Sequence, residues 1–403
     1  MAVGPDQLPE FHPISGFRLG TACAGIKKPG RADLVVMELA PESTVAGVFT
    51  RNLFCAAPVT LCKQHLHSAN PRYLLINTGN ANAGTGHQGM VDAVSCCQAL
   101  AAEAGVDEQS VLPFSTGVIG EKLPVEKIHS GIPLAMAALS ENGWRDAASG
   151  IMTTDTRPKG ATRVIEYQGQ RIHISGISKG AGMICPNMAT MLAYIATDAA
   201  VSQQDLQCLL SAAADRSFNR VTVDGDTSTN DSCMLVATAA GVSVAPGSDL
   251  WELFAEAVDV VLLELAQAIV RDGEGATKFV TIAVDQAKSS EEALQIAYAI
   301  AHSPLVKTAL FASDPNWGRI LAVVGRAGIN DLDLDALQIY LDDVCIVEGG
   351  GRAAGYTEDQ GQRVMNQEEI LIRVVLSRGE VSEQVWTTDL SHDYVSINAD
   401  YRS

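Results

Sequence analysis

Positive charge is scarce in this sequence. Lysine and arginine together number 28, against 47 aspartates and glutamates, and the formal net charge at pH 7 is −19. Binding to nucleic acid is driven largely by basic side chains that neutralise phosphates and release counterions. A strongly acidic chain opposes that process, so we predict that nucleic acid is not a partner and that the acidity mainly favours solubility.

Long hydrophobic runs are also missing. The most apolar stretch, 258–270, is shorter than the ~20 residues that a membrane-spanning helix needs, and it contains Asp259 and Glu264. We expect it to be a helix of the core, and we predict no membrane partner. Residues 1–17 lack the basic start and the apolar segment of a secretory signal. The expected location is therefore the cytoplasm.

The spacing of potential ligands argues against metal and nucleotide sites. None of the nine cysteines is spaced as CxxC or CxxxxC, which favours reduced thiols over a disulfide framework. The acidic segment 223–231, VDGDTSTND, lacks the spacing of a calcium loop. His65 and His67 would share one face of a strand without a third ligand, so we predict no zinc site there. The glycine-rich segments 272–278 and 349–355 do not match phosphate-binding motifs. We predict neither a metal nor a tightly bound organic cofactor.

Apolar spacing predicts a mixed α/β fold. A chain of this length can form two domains of about 150 to 200 residues or one intertwined unit, and no repeat or linker marks a boundary. Short apolar runs predict strands over 33–39, 72–77, 171–177, 192–196, 234–240, 279–284, 319–324, 337–341, 370–376 and 385–388. Helical spacing occupies 89–104, 203–216, 249–271 and 291–311, with Ser202 and Ser290 as the N-caps of the second and fourth helices.

The segment richest in chemical features is GISKGAGMICPNMATMLAYIATDA, residues 176–199. Three of its first seven residues are glycines, and Pro186 and Asn187 follow, so a permissive backbone leads directly into a restricted one. An apolar, strand-like run begins directly after Thr190. A hydroxyl group therefore lies between a constrained loop and a buried strand.

Such a junction suits an N-to-O acyl shift, in which Thr190 Oγ attacks the carbonyl of Ala189 and the resulting ester is hydrolysed. Cleavage would free the α-amino group of Thr190, whose ordinary pKa of about 7.7 to 8.0 lets it accept the proton of its own hydroxyl. No histidine is then required, and His173, which alternates with apolar residues, is interpreted as structural. From the loop alone, the alternative that Thr190 only caps or pairs in a turn stays open.

A resemblance to a known family strengthens the first interpretation. The segment KGAGMICPNMATML, 179–192, resembles the signature of the ornithine acetyltransferase family, also called ArgJ or bifunctional glutamate N-acetyltransferase. Further segments resemble family blocks in family order: 77–86, 115–124, 151–156, 219–232, 269–279, 314–320 and 394–403. The resemblance spans almost the whole chain. Cys185 stands where a small residue such as Ala or Ser is expected, and we interpret it as tolerated because a buried cysteine behaves as a small apolar side chain.

The resemblance implies a role for individual residues. It places a self-cleavage site between Ala189 and Thr190, makes Thr190 the nucleophile, and assigns the oxyanion hole to Thr116 and Gly117. The substrate-binding residues that it implies are Thr153, Lys179, Thr190, Glu274, Asn398 and Ser403, with Thr154 and Thr156 as neighbouring alternatives to Thr153. If these roles hold, the C-terminal tail folds back to the site.

The resemblance also implies an architecture and an activity. We expect a layered α/β sandwich with pseudo-barrel packing, made of two intertwined chains, 1–189 and 190–403, in an α2β2 assembly. The implied reaction is a ping-pong transfer of acetyl from N2-acetylornithine to glutamate in arginine biosynthesis, through acetyl-Thr190. Some family members also take acetyl from acetyl-CoA. Two alternatives stay open: a self-processing aminopeptidase or amidohydrolase that uses water as the acceptor, and a non-enzymatic binding protein with an intact chain.

Overall fold

The computed structural model describes residues 2–26, 30–185 and 191–400. In these ranges the strands are β1 Phe17–Ala22, β2 Leu34–Leu39, β3 Thr44–Phe49, β4 Tyr73–Asn80, β5 Val111–Val118, β6 Lys159–Tyr167, β7 Gln170–Lys179, β8 Leu192–Thr197, β9 Ser232–Ala237, β10 Phe279–Ala287, β11 Gln338–Leu341, β12 Val344–Glu348, β13 Gly351–Arg352, β14 Glu369–Val375 and β15 Val381–Thr388. The α-helices are α1 Ala57–Ser68, α2 Gly86–Ala104, α3 Val125–Ala137, α4 Trp144–Gly150, α5 Gln203–Arg216, α6 Asp249–Arg271, α7 Ser290–Ala301, α8 Pro304–Phe311, α9 Trp317–Gly325, α10 Glu358–Met365 and α11 His392–Ala399. Short 3-10 helices occupy Glu108–Ser110 and Phe218–Arg220. The predicted mixed α/β class is confirmed.

The larger of two compact units comprises Gln7–Asn219 and Asp226–Ile269. It contains a four-stranded sheet, in the order β1-β2-β4-β5, and a five-stranded sheet, in the order β3-β9-β8-β7-β6. Apolar side chains of both sheets share one core, among them Val35, Leu74, Phe114, Ile177, Tyr194 and Met234. The rings of Phe114 and Tyr194 meet edge to face, with centroids 5.3 Å apart. The two sheets therefore pack face to face.

Helices cover the outer faces of these two sheets. On the four-stranded sheet, Val36 and Leu75 form a second core with Leu100 of α2 and Ile128 of α3. On the five-stranded sheet, α6 packs against β7, where a Cβ at Gly176 would lie 3.0 Å from Leu265 Cδ1. The missing side chain lets the helix approach the strand closely. The order helix, sheet, sheet, helix confirms the predicted layered architecture, and α6 confirms the core helix expected over 258–270.

The smaller unit comprises Met1–Asp6, Arg220–Gly225 and Val270–Ser403. Its six-stranded sheet has the order β13-β12-β11-β14-β10-β15, in which β10 pairs parallel with β14 and antiparallel with β15. Helices α7, α9 and α10 pack on this sheet through a core that includes Val280, Ile282, Ile296, Val324 and Val364. Each unit thus has a hydrophobic core of its own.

The helix predictions succeed except at one interruption. Helices α5 and α6 have the predicted bounds, and Ser202 caps α5 by accepting a hydrogen bond from the Asp205 amide. The helix expected over 291–311 is instead two helices, α7 and α8, because Pro304 has no amide hydrogen to continue the first one. The predicted cap Ser290 is wrong by one residue, since the cap of α7 is Ser289.

Two strand predictions are wrong. Residues 319–324 belong to helix α9, in which Ile320, Val323 and Val324 are buried at helical spacing and Asn316 caps the start. His65 and His67 lie on helix α1, not on a strand. His65 Nδ1 is 2.7 Å from the carbonyl oxygen of Val111, so this buried ring already has a partner within the core.

Candidate active site

The two residues predicted to form the oxyanion hole lie at the end of strand β5. Thr116 and Gly117 pair there in parallel with Thr78 and Gly79 of β4, next to a shift in register at Asn80. Gly117 has a φ of +135°, and a Cβ at this position would lie 2.3 Å from the Gly79 carbonyl carbon and 2.5 Å from the Asn80 nitrogen. Only glycine allows β5 to run this close to β4.

Lys179, a predicted substrate-binding residue, reaches the same place from the other sheet. It is the last residue of β7 and is buried, and its Nζ donates a hydrogen bond of 3.2 Å to Thr116 Oγ1. A lysine ammonium is a compact, strongly hydrated charge, so it needs compensation when it is buried. The contact joins two predicted site residues that are far apart in sequence.

Part of that compensation comes from Asp155, which the sequence analysis did not single out. Its Oδ1 accepts hydrogen bonds from Lys159 Nζ at 2.6 Å and from the Gly180 amide at 2.7 Å, and its Oδ2 accepts one from the Thr153 amide at 2.9 Å. Burial alone would raise the pKa of this carboxyl, but Lys159, Lys179 and the hydrogen bonds hold it well below its ordinary value. Asp155 therefore stays ionised and links the segments that carry Thr153 and Lys179.

Two consecutive residues before β9 complete this part of the site. Asn230 Nδ2 donates to the carbonyl oxygens of Ala81 at 2.7 Å and Ser115 at 2.9 Å. Asp231 Oδ1 accepts a hydrogen bond of 2.9 Å from the amide of Met191. Met191 directly follows Thr190 in the chain, and Ser115 directly precedes Thr116. The pair thus connects the neighbours of two predicted catalytic residues.

Two further predicted residues meet in the smaller unit. Asn398, on α11, donates from Nδ2 to Glu274 Oε2 at 2.8 Å. Glycine is required at position 275, between Glu274 and strand β10, because a Cβ there would lie 2.6 Å from the Tyr394 nitrogen of α11. Tyr394 also donates its hydroxyl hydrogen to Asp224 Oδ2 at 3.2 Å. The C-terminal helix therefore packs back onto the segment that contains Glu274.

The remaining predicted site residues are outside the described ranges. Ala189, Thr190 and Ser403 belong to this group, as does the cleavage site predicted between the first two. The structure accordingly brings Thr116, Gly117, Lys179 and the Thr153 segment together in the larger unit, and Glu274 and Asn398 together in the smaller one.

Several other features have structural explanations. His173, for which we expected a structural role, lies on β7, and its Nδ1 is 2.6 Å from Asp198 Oδ2. The described ranges hold no cluster of three or more His, Cys, Asp or Glu side chains that could bind a metal ion. All nine cysteines lie in those ranges and none forms a disulfide there. Within the same part of the chain, no helix is both long and apolar enough to cross a membrane.

Comparisons with known proteins agree with the resemblance seen in the motifs. The family model described as "ArgJ family" matches residues 18–403. The arginine biosynthesis bifunctional protein ArgJ of Pseudomonas fluorescens (strain Pf0-1) is 60% identical over 406 residues, covering 100% of both chains. The protein of the same name from Methylococcus capsulatus is 58% identical over 393 residues, 97% of this chain and 96% of that one.

A solved structure of the Bacillus halodurans protein named arginine biosynthesis bifunctional protein ArgJ is 36% identical, with a TM-score of 0.47, and covers 50% of this chain and 95% of its own. The family assignment does not depend on this structure, because the family model and the two relatives extend over nearly all of the sequence. The chain belongs to the ArgJ family.

Proposed function

We propose that this chain is an acetyltransferase of arginine biosynthesis that moves the acetyl group of N2-acetylornithine to glutamate. The observation that carries the proposal is a pair of hydrogen bonds, one that Asn230 donates to Ser115 and one that Asp231 accepts from Met191. Through these bonds, two adjacent residues of one segment contact Ser115, which precedes Thr116, and Met191, which follows Thr190. Membership of the ArgJ family, whose relatives above are named arginine biosynthesis bifunctional proteins, supports the same pathway.

The chain first cleaves itself in this proposal. Thr190 Oγ attacks the carbonyl carbon of Ala189, the peptide nitrogen leaves as the α-amino group of Thr190, and water then hydrolyses the ester. The products are residues 1–189 and 190–403. The new amine, with an ordinary pKa of about 7.7 to 8.0, accepts the proton of the Thr190 hydroxyl, so that one residue supplies both nucleophile and base.

Acetyl transfer then follows in two halves. Thr190 Oγ attacks the acetyl carbonyl of N2-acetylornithine, and Thr116 and Gly117 stabilise the negative charge that develops on its oxygen. The proton goes to the leaving nitrogen of ornithine, and acetyl-Thr190 remains. The amine of glutamate next attacks the ester carbonyl, and the bond between the acetyl carbon and Thr190 Oγ breaks. The proton that the acceptor nitrogen loses returns to Oγ through the Thr190 amine, which leaves acetylglutamate and the free hydroxyl.

Substrate recognition needs groups of both charges. An amino acid substrate carries an α-carboxylate and a polar side chain, so a buried cation, a carboxylate and amide or hydroxyl groups are the required partners. Lys179, Thr153, Glu274, Asn398 and Ser403 supply this set. The Asn398–Glu274 hydrogen bond of 2.8 Å supports a shared task for these two residues.

The finer properties of the enzyme are part of the proposal. The two chains assemble as an α2β2 particle, acetyl-CoA serves as a second acetyl donor, and no tightly bound cofactor takes part. Nine free cysteines suit a reducing compartment, which favours the cytoplasm as the place of action.

Intact mass spectrometry with and without N2-acetylornithine tests the proposal directly. We expect two chains with masses that correspond to cleavage after Ala189, and one added acetyl group on the second chain when the substrate is present. Thr190→Ala should give one full-length chain without acetylation or transfer. Thr308→Ala, on the exposed face of α8, is the matched control and should behave as wild type.

Three outcomes would contradict the proposal. Cleavage or transfer that persists in Thr190→Ala would remove Thr190 as the nucleophile. Release of free acetate in place of acetylglutamate would identify an amidohydrolase. A full-length wild-type chain that binds the substrate unchanged would identify a binding protein.

A further inference from the structure

Asp231 holds the peptide that follows the proposed nucleophile. Its Oδ1 accepts the Met191 amide hydrogen at 2.9 Å, and the amide of the next residue, Ser232, donates to the Met191 carbonyl oxygen at 3.1 Å. Met191 comes directly before β8, and the second contact lies at the first pair of the β8–β9 ladder, Leu192 with Ser232. Residue 191 is therefore fixed at both of its peptide groups by consecutive residues of one segment.

The Asp231 side chain is placed where a carboxyl group is costly. The residue is 0% exposed, and within the described part of the chain its Oδ2 has no partner in ordinary hydrogen-bond geometry, although the hydroxyls of Ser228 and Thr50 lie near enough to act on the carboxyl. Burying a carboxyl group costs free energy that incomplete hydrogen bonding recovers only in part. Folded proteins leave few buried polar groups incompletely bonded, so the presence of a carboxyl here calls for an explanation.

The surroundings favour the neutral form of this carboxyl. Burial raises the pKa of Asp231 well above its ordinary value. Four groups lower this pKa, but together they offset the effect of burial only in part. They are the Met191 amide, the Lys179 ammonium and the hydroxyls of Ser228 and Thr50. A neutral carboxyl keeps its carbonyl oxygen as an acceptor, so it can hold the Met191 amide without bringing a charge to the site.

We propose that Asp231 is a positioning residue for the nucleophile, acting through the Met191 amide to fix the backbone from which Thr190 reacts. The inference rests on the proposed function, because it gives Asp231 a task only if Thr190 is the reacting residue. The acceptor geometry is what matters, and the negative charge is not required. Both self-cleavage and acetyl transfer depend on it, because both begin with Thr190 Oγ.

Three substitutions separate geometry from charge. Asp231→Asn keeps a carbonyl oxygen at the same distance, so cleavage should go to completion and kcat should stay within about threefold of wild type. Asp231→Glu keeps the carboxyl but moves it by one methylene. Asp231→Ala removes the acceptor. In the latter two, kcat should fall about 100-fold while KM changes little, since a displacement of the nucleophile near 1 Å costs about that much.

Asp198→Ala is the matched control. Asp198 Oδ1 accepts the His173 amide at 2.9 Å, which is the same kind of contact in the same sheet but at the other end of β7. Its loss should lower the melting temperature as Asp231→Ala does, yet leave kcat unchanged. A purely structural role for Asp231 predicts equal effects of the two alanine variants on both quantities.

The outcomes decide between the two proposals. Wild-type kcat in folded Asp231→Ala, or lost kcat in folded Asp231→Asn, overturns the role of Asp231. If the alanine variant does not fold, the asparagine variant alone gives the decision by the same criterion. Thr190→Ala is measured in parallel: if it still cleaves and transfers, the proposed function itself is wrong, and if it is inert, only the Asp231 inference is at stake.

Discussion

Gly117 is the residue at which the backbone geometry of the candidate site is most tightly constrained. Alanine there would have to adopt a φ of +135° and would place its Cβ 2.3 Å from the backbone of Gly79. Backbone strain alone costs about 1 to 3 kcal/mol, and the collision forces β5 away from β4. We expect Gly117→Ala to lower the free energy of unfolding by at least that amount, and to lower kcat about 100-fold if the Gly117 amide stabilises the oxyanion.

Gly120→Ala provides the comparison for that substitution. Gly120 also has a positive φ, +81°, but nothing lies within 4 Å of a Cβ placed there. Its replacement should cost only the strain of the left-handed backbone, about 1 to 2 kcal/mol, with kcat unchanged. Urea unfolding and the acetyl transfer assay measure the two effects. Equal losses in both variants would show that the close approach of β4 and β5 has no special importance.

The acidic residues show where residue-level prediction ends. Asp155 and Asp231 are both within segments that resemble family blocks, 151–156 and 219–232, yet nothing in the sequence distinguishes them from the many other acidic residues of the chain. Their importance comes from burial and from backbone amides far along the chain, at Gly180 and Met191. Side-chain type can be read from a sequence, whereas depth and long-range partners depend on the fold. By contrast, Lys179 and Thr116 were identified from motifs, and the structure places them in contact.

At the scale of elements, helix starts give a sharp test because two adjacent serines differ in role. Ser289 is the N-cap of α7 and accepts a hydrogen bond from the Glu292 amide at 3.2 Å, whereas Ser290 is the first residue of the helix. Ser289→Ala should lower the free energy of unfolding by about 1 kcal/mol. Ser290→Ala should change it by less than about 0.5 kcal/mol. Thermal or urea unfolding measures both losses of stability. A larger loss in Ser290→Ala than in Ser289→Ala would identify Ser290 as the cap.

The misassigned elements have identifiable physical causes. Helices 203–216 and 249–271 were predicted with correct bounds because a 3.6-residue apolar period continues over many turns. Residues 319–324 are too short for that period to be distinguished from a buried strand, and the Asn316 cap that settles the matter lies outside the apolar run. Strands such as β5 and β6 were missed because Ser, Thr, Gly and Lys within them interrupt the apolar pattern.

At the scale of the whole molecule, the proposed cut divides the chain but not the larger unit. Strand β7 ends at Lys179 and β8 begins at Leu192, and these two residues are partners in one antiparallel pair. On its other side β8 pairs with β9, which in turn pairs with β3. Residues 190–403 therefore contribute two neighbouring strands, β8 and β9, which lie between β3 and β7 of residues 1–189 in a single sheet. The layered class could be predicted from the sequence, but this interleaving depends on strand order, which local patterns do not contain.

This interleaving leads to a prediction about the cleaved protein. The two chains should elute together from a sizing column and separate only in denaturant, because extraction of the β8–β9 pair would break its ladders with β7 and with β3. Unfolding of the cleaved protein then yields two separate polypeptides for each original chain, whereas unfolding of uncleaved Thr190→Ala yields one. By mass action, the melting temperature of the cleaved protein should fall more steeply on dilution, by about 2 °C more per tenfold. Calorimetry of both proteins over a concentration series measures this difference whatever the assembly state. Equal slopes, or chains that separate without denaturant, would mean that the cut does not pass through a shared sheet.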